Sequence, residues 1–272
     1  MIVSAVHNFG FVHIPKCAGS TIRHQLRERD DLKGRFYRNI AHPTLGRING
    51  NHLTLSVLRQ EYPDAFAALQ AVESYTIVRD PTERFVSAVA QAVRDEGGEA
   101  GALSARQIAT LAHRLIGELE RAEGVLTGVH VLFERQIDYV MLDGSSIVDH
   151  VFPMERLDAL FEAMATRHDL HLNRETVWNP TVTYRFPALT KTLKRMKDRA
   201  KKTLPVAGYT RLRDAALPIF TTRGVPKLNQ TLLEDDRIQA FIAERYAEDA
   251  ALHRTALAAL AAPDTQPEVA RA

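Results

Sequence analysis

The sequence is poor in cysteine and contains no long apolar run. One cysteine among 272 residues cannot form a disulfide within the chain, which favours a reducing compartment. No apolar stretch approaches the ~20 residues that cross a bilayer. The N-terminus also lacks the basic start and long apolar core of a signal peptide. These absences predict a soluble, cytoplasmic protein without a transmembrane segment.

The chain also has very little net charge. Lys and Arg together number 35 and Asp and Glu 33, which leaves a formal charge of +2. With no zinc-finger spacing and no aromatic RNA-binding signature, this balance does not indicate a nucleic-acid partner. No H-x-x-x-H motif or carboxylate cluster is present, so no metal is expected. The composition, 45% apolar and 25% charged, is that of an ordinary folded domain.

Strand and helix patterns alternate along the chain. Periodicity predicts strands at 9–14, 74–78, 129–133 and 147–152, and helices at 20–29, 53–69 (broken near Pro63), 80–93, 104–124, 155–167 and 236–260. Residues 33–51 have the composition of an irregular loop. The alternation predicts an α/β fold, a P-loop-like parallel sheet flanked by helices. We expect a single domain over 1–262 with a helical C-terminal part, and a disordered tail at 263–272.

Two helix starts carry capping signals. Asp80 precedes Pro81, and Glu83 follows at the third helical position, the pattern of a capping box. Ser104 and Gln107 repeat that spacing before an amphipathic segment. The first of these signals places the start of the helix that follows the 74–78 strand at residue 81.

Residues 11–22, FVHIPKCAGSTI, have the components of an anion-binding loop. Backbone N–H groups at a helix start, after small residues, form a concave anion site. Gly19 permits close approach of the backbone, Ser20 and Thr21 add hydroxyl donors, and Lys16 adds a positive charge. The order differs from G-x-x-x-x-G-K-[ST], so an ordinary nucleotide triphosphatase is not expected. The alternative is a strand-to-helix turn with an incidental lysine.

A second interpretation starts from Cys17. With Arg23 it completes C-x5-R, which resembles the loop of low-molecular-weight cysteine phosphatases. A thiol at a helix N-terminus has a lowered pKa and is a nucleophile, and Asp80 would be the general acid. Against this interpretation, His24 stands where those enzymes have a hydroxyl residue.

Residues 74–89, SYTIVRDPTERFVSAV, predict a second anion site. Arg79 ends a strand and Ser87 lies on the second turn of the next helix, where Arg84, Ser87 and Gln91 share a face. The planar guanidinium suits phosphate because it donates two parallel hydrogen bonds. The alternative is that Arg79 pairs with a neighbouring acidic residue and that Ser87 merely packs.

Together, the two stretches resemble sulfotransferases. The first is similar to the 5′-phosphosulfate loop F-x-H-x-P-K-T-A-G-T-S, and the second to the 3′-phosphate motif R-D-P-x-x-R-x-x-S. The branch they resemble holds carbohydrate sulfotransferases, including heparan-sulfate and chondroitin enzymes and many bacterial members. Weaker similarity extends to 136–140, 151–161 and 244–253.

The resemblance implies 3′-phosphoadenosine 5′-phosphosulfate as the sulfuryl donor and co-substrate. In that family the first loop holds the 5′-phosphate and the sulfuryl group, a role that passes here to Lys16, Cys17, Ala18, Gly19, Ser20 and Thr21. Arg79 and Ser87 take the 3′-phosphate. Cys17 stands where relatives usually have threonine, so a main-chain N–H still serves there but a hydroxyl contact is lost. A non-catalytic module that binds the nucleotide is the remaining alternative.

The resemblance also implies a catalytic base between the two motifs. Family members often carry a histidine after a glycine-containing loop, and His52 in Gly50-Asn51-His52 matches that position. His42 is the second choice and Glu61 a weaker one, while His13 is expected to pack or to support the site. Lys16 is expected to neutralise the bridging and leaving oxygens.

The acceptor is less defined. The family favours a hydroxyl of a carbohydrate, on a glycan or glycolipid. Residues 185–202 form a basic helical insertion with an apolar stripe. They are either a solvated face or a surface for an anionic acceptor or membrane. Trp178 either stacks on a sugar ring or packs in the core. The sequence does not indicate an oligomeric state.

Overall fold

The structure is a computed structural model that describes residues 1–98, 100–173 and 226–261. It also describes short pieces at 182–184, 195–196, 199–200, 203 and 221–223. Trp178, most of the basic stretch 185–202 and the tail at 263–272 lie outside the described residues.

The described elements are ten strands and nine helices, labelled in chain order. The strands are β1 Ile2–Ser4, β2 Phe9–Val12, β3 Asn39–His42, β4 Gly46–Asn49, β5 Glu73–Val78, β6 Met141–Leu142, β7 Ser145–Ser146, β8 His150–Pro153, β9 Val182–Tyr184 and β10 Thr221–Arg223. The helices are α1 Gly19–Leu26, α2 Leu55–Glu61, α3 Pro63–Gln70, α4 Pro81–Asp95, α5 Ala105–Arg121, α6 Leu157–His168, α7 Pro226–Leu233, α8 Asp236–Arg245 and α9 Ala247–Ala261.

The central sheet has the order β1-β2-β5-β8. Strands β2, β5 and β8 run parallel, and β1 pairs antiparallel with β2 at the edge. Val12 pairs with Thr76, so β2 and β5 end side by side. The loops that follow them therefore leave the same edge of the sheet, where open α/β sheets bind their ligands.

The α/β fold and parallel sheet predicted from the sequence are confirmed. Strands β2 and β5 and helices α1, α4, α5 and α6 lie within a few residues of the predicted positions. Pro63 breaks the 53–69 segment as expected, because it starts α3 at the first helical position. Strand β1 was not predicted, since three residues are too few for a readable alternation.

Three local predictions are wrong. Residues 128–133 form a 3₁₀ turn rather than a strand, because Gly128 enters it with φ +58° and its apolar side chains point into the core. The expected loop at 33–51 contains the β3–β4 hairpin. The predicted C-terminal helix is divided at Tyr246, whose backbone leaves the helical region and whose hydroxyl donates to the Phe133 carbonyl at 2.8 Å.

Among the described residues, the buried apolar side chains form two clusters. One surrounds the sheet, and the other lies among helices α4, α5, α7 and α8. Phe85, Val89 and Val93 of α4 all belong to the second cluster, as their spacing predicts. Burial of that face fixes the orientation of α4, and with it the side chains that follow the end of β5.

Candidate functional site

The loop between β2 and α1 has a strained backbone. Lys16 and Ala18 adopt left-handed conformations, with φ of +66° and +57°. A Cβ atom added to Gly19 would lie 2.0 Å from Cδ2 of His13, so only glycine fits against that ring. Ala18 occupies the N-cap position of α1 and no side chain caps the helix there. The start of α1 thus has the features of an anion-binding turn.

Cys17 is buried in this loop, with 1% of its surface exposed. Its thiol lies 3.2 Å from Oε1 of Gln136 and 3.4 Å from the Pro15 carbonyl. Burial raises the pKa of Cys17 to about 12, so the thiolate needed for nucleophilic attack is not formed at neutral pH. Arg23 instead hydrogen-bonds Asn51 and lies over the Tyr37 ring. The pair required by a cysteine phosphatase is not assembled.

Arg79 follows β5 directly at the same edge of the sheet. Its guanidinium donates to Oε2 of Glu83 from Nε at 3.2 Å and from Nη2 at 3.0 Å. Asp80 accepts from the Glu83 N–H at 3.0 Å and caps α4. Because the Glu83 carboxylate binds Arg79, the reciprocal half of the predicted capping box is not made. Arg79 therefore has a carboxylate partner that an incoming anion must displace or share.

The predicted common face of α4 is only partly correct. Ser87 is half-buried on the second turn of the helix. Arg84 is 1% exposed and donates to the Leu132 carbonyl at 3.1 Å, so it lies in the core. Gln91 and Arg94 continue the line of Ser87, and Arg94 Nη2 donates to Gln91 Oε1 at 2.8 Å. The side chains in line with Ser87 are therefore Gln91 and Arg94.

The charges of the two predicted anion sites act on each other. Burial, followed by the positive charges of Arg94 and Arg79, lowers the pKa of Lys16 to about 8. Repulsion of that kind requires the ammonium to lie within electrostatic reach of both guanidinium groups. The β2–α1 loop and the β5–α4 corner thus contribute cations to one region, and a bound anion would relieve their repulsion.

His52 ends the short 3₁₀ turn Gly50–His52. Its Nδ1 lies 3.0 Å from the His13 carbonyl oxygen. Because a carbonyl only accepts, Nδ1 carries the proton and the lone pair is on Nε2. The two imidazole rings meet edge to face at 4.5 Å. Burial lowers the pKa of His52 to about 3, so the ring is neutral at physiological pH, and it is a weaker base than an exposed histidine.

The other predicted candidates for the base are placed differently. His42 Nε2 lies 3.1 Å from the Glu61 carboxylate, so the two alternative bases pair with each other. Nδ1 of His42 faces the N–H groups of Thr44 and Leu45 at 3.4 and 3.3 Å. Both ring nitrogens of His42 are therefore engaged. His13 is buried and burial lowers its pKa well below the usual value, so it is neutral, in keeping with the supporting role expected of it.

One of three comparisons with known proteins identifies a family. The model of the sulfotransferase family matches residues 1–254, a span that includes both loops and the His52 turn. The chain belongs to the sulfotransferase family. No significant match is found among curated proteins or among solved structures. Within the ranges that the structure describes, no helix is long and apolar enough to cross a membrane.

Two residues of this sulfotransferase that contact the site were given no role from the sequence. Gln136 is fully buried and contacts both Cys17 and the Arg79 backbone. Asp249, also fully buried, accepts from the Gln136 and Ile137 N–H groups at 2.8 and 2.9 Å. Both residues lie in segments with weak family similarity. Their contacts join residues that are 57 to 119 positions apart, so no local sequence pattern predicts them.

Proposed function

We propose that this sulfotransferase takes the sulfuryl group from 3′-phosphoadenosine 5′-phosphosulfate and transfers it to a hydroxyl of a carbohydrate. The observation that carries the proposal is that Lys16 and Arg79 follow two adjacent parallel strands, β2 and β5, at the same edge of the sheet. A doubly phosphorylated adenosine needs two anion sites in one region, and these strand ends supply them.

The residues present fit such a donor. Lys16 and the loop from Cys17 to Thr21 would hold the 5′-phosphate and the sulfuryl group, since the left-handed backbone and the uncapped start of α1 favour an anion. Arg79 and Ser87 would hold the 3′-phosphate. Glu83, whose side chain is 61% exposed, is free to move towards solvent when a phosphate replaces it.

The chemistry assigned to this chain is positioning, charge neutralisation and proton removal. The donor supplies the sulfuryl group, and the displacement is in line, as in phosphoryl transfer. Nε2 of His52 accepts the proton of the acceptor hydroxyl, and the His13 carbonyl fixes the tautomer that makes this possible. Lys16 stabilises negative charge on the departing phosphate.

The proposed acceptor and location rest on separate features of the sequence. A carbohydrate acceptor, on a glycan or glycolipid, rests on the resemblance of the two motifs to carbohydrate sulfotransferases. A cytoplasmic location rests on the single cysteine, which is a buried free thiol. A cysteine phosphatase has no support, because Cys17 is held as a thiol with its pKa raised to about 12.

Calorimetry tests whether the protein binds the proposed nucleotide selectively. Wild-type protein should bind adenosine 3′,5′-bisphosphate more tightly than AMP or ATP, because only the bisphosphate reaches both anion sites. In Arg79→Ala this preference should fall by about 10- to 100-fold, the effect of losing charge-assisted hydrogen bonds to phosphate. Affinity for AMP should stay near the wild-type value.

The matched control is Arg156→Ala. Arg156 is a surface arginine paired with nearby Asp158, much as Arg79 is paired with Glu83. Its removal should leave all three affinities unchanged. A wild type that binds AMP as tightly as the bisphosphate would contradict the proposed donor.

Affinity for the bisphosphate should also depend on pH through Lys16. The pKa of Lys16 is lowered to about 8, and a bound phosphate favours the charged ammonium. Affinity should therefore be greatest below pH 8 and fall as the pH rises, by up to about tenfold per pH unit. Calorimetry between about pH 7 and pH 9.5 measures this, because the phosphates themselves titrate near pH 6.

Lys16→Arg is the control for the pH dependence. A guanidinium stays charged over the whole range, so this variant should bind with an affinity that is nearly independent of pH. A wild-type affinity that is equally flat would show that Lys16 does not contact the phosphate.

A further inference from the structure

The Gln136 side chain joins the two anion-binding corners. Its Oε1 accepts from the Arg79 N–H at 2.8 Å, and its Nε2 donates to the Arg79 carbonyl at 2.8 Å. The same Oε1 lies 3.2 Å from the Cys17 sulfur, within reach of the thiol proton. The Gln136 amide therefore makes with Arg79 the two main-chain hydrogen bonds that a neighbouring strand would make. The same amide also contacts the loop that follows β2.

Gln136 is itself held rigidly. Its N–H donates to Asp249 Oδ2 at 2.8 Å, and the same carboxylate faces Arg84 of α4, with Nη2 at 3.6 Å. Gln136, Cys17, Arg84 and Asp249 are each 1% exposed or less. In so little water these hydrogen bonds are strong, and leaving any of the groups unpaired is costly.

We propose that Gln136 is the positioning residue that fixes Arg79 relative to the β2–α1 loop, and so sets the spacing of the two phosphate sites. This inference rests on the proposed function, because the spacing matters only for a ligand with two phosphates. Gln136 touches no reacting atom. It acts through the Arg79 backbone, from which the guanidinium extends towards the 3′-phosphate.

The distances indicate which phosphate depends on Gln136. Arg79 exchanges two hydrogen bonds of 2.8 Å with the Gln136 amide, one donated and one accepted, whereas Cys17 makes one contact with that amide at 3.2 Å and has a second partner in the Pro15 carbonyl. Thiols are weak donors. Loss of the amide should therefore displace Arg79 more than the first loop, and should weaken 3′-phosphate binding selectively.

The experiment compares affinities for adenosine 3′,5′-bisphosphate and for AMP in Gln136→Met, which keeps the length of the side chain and removes the amide. The preference for the bisphosphate should fall about tenfold, the effect of about one net hydrogen bond, with AMP affinity within about twofold of wild type.

Gln136→Glu is the conservative variant and covers the case in which Gln136→Met does not fold. An ionised carboxylate accepts from the Arg79 N–H but has no proton to donate to the Arg79 carbonyl. At pH 8 this variant should show a reduced preference. The preference should recover towards the wild-type value measured at the same pH as the pH falls and the buried carboxyl gains its proton.

Ser74→Ala is the matched control for stability. Ser74 is a buried polar residue at the other end of β5, and its hydroxyl bonds Asp149 at 2.8 Å. This variant should unfold at a lower temperature and keep the wild-type preference. The inference is overturned if Gln136→Met and Gln136→Glu behave like Ser74→Ala, or if their affinities for AMP and bisphosphate fall together. A wild type without the preference overturns the proposed function, and this inference with it.

Discussion

Turnover by His52→Ala should be at least about 100-fold below wild type, while affinity for adenosine 3′,5′-bisphosphate stays unchanged. General-base catalysis by a positioned histidine contributes about 10²- to 10⁴-fold. In the part of the chain that the structure describes, Nδ1 of His52 lies against the His13 carbonyl, which leaves Nε2 as the acceptor. Steady-state sulfation assays with calorimetry on the same samples measure both quantities.

His42→Ala is the matched control for this prediction. It removes a histidine from the same interval of the chain, one whose ring nitrogens face Glu61 and a local turn. We expect its turnover to stay within a few-fold of wild type. If His42→Ala loses turnover and His52→Ala keeps it, the assignment of the base is reversed. If the wild type binds the bisphosphate but never sulfates an acceptor, the protein is the non-catalytic nucleotide-binding module.

Removal of Asp249 should produce the largest loss of stability. Asp249 and Arg84 are an ion pair with side chains 0% and 1% exposed. Truncating one partner of a buried pair leaves the other charge uncompensated, which costs about 3–5 kcal/mol. Asp249→Ala should lower the free energy of unfolding by that amount in urea denaturation, and it also removes the acceptor for two N–H groups.

Two further variants distinguish the effect of an unpaired buried charge on stability from the effect of losing a side chain. Glu248→Ala removes the exposed neighbour, whose pair with Arg135 should contribute under about 1 kcal/mol. The double variant Arg84→Met with Asp249→Leu removes both buried charges and should recover much of the loss. A stability of Asp249→Ala equal to that of Glu248→Ala would mean that the buried pair contributes nothing.

The parts of the site that are local in sequence were predictable. The lysine and small residues that follow the first strand pattern predicted the β2–α1 loop, and Asp80 with Pro81 predicted the start of α4. Each of those features depends on residues within one turn of each other. The family resemblance added the pairing of the two loops, which the parallel neighbours β2 and β5 now explain.

The parts that depend on tertiary contacts were not predictable. Helical spacing placed Arg84 on the same face as Ser87. In the structure Arg84 lies in the core, where it pairs with the carboxylate of Asp249, 165 positions further along the chain. Gln136 had no distinguishing neighbours in sequence. The family resemblance ranked His52 above His42, but the hydrogen-bond partners that distinguish the two histidines could not be predicted from the sequence.

The close approach of Gly19 to His13 connects the β2–α1 loop, the proposed donor site, with His52, the proposed base. The imidazole of His13 occupies the space in which any other residue at position 19 would place its first carbon. The carbonyl of the same histidine sets which nitrogen of His52 is protonated. A methyl group at position 19 would therefore displace His13, and through it His52, so one substitution would disturb both the proposed nucleotide site and the proposed base.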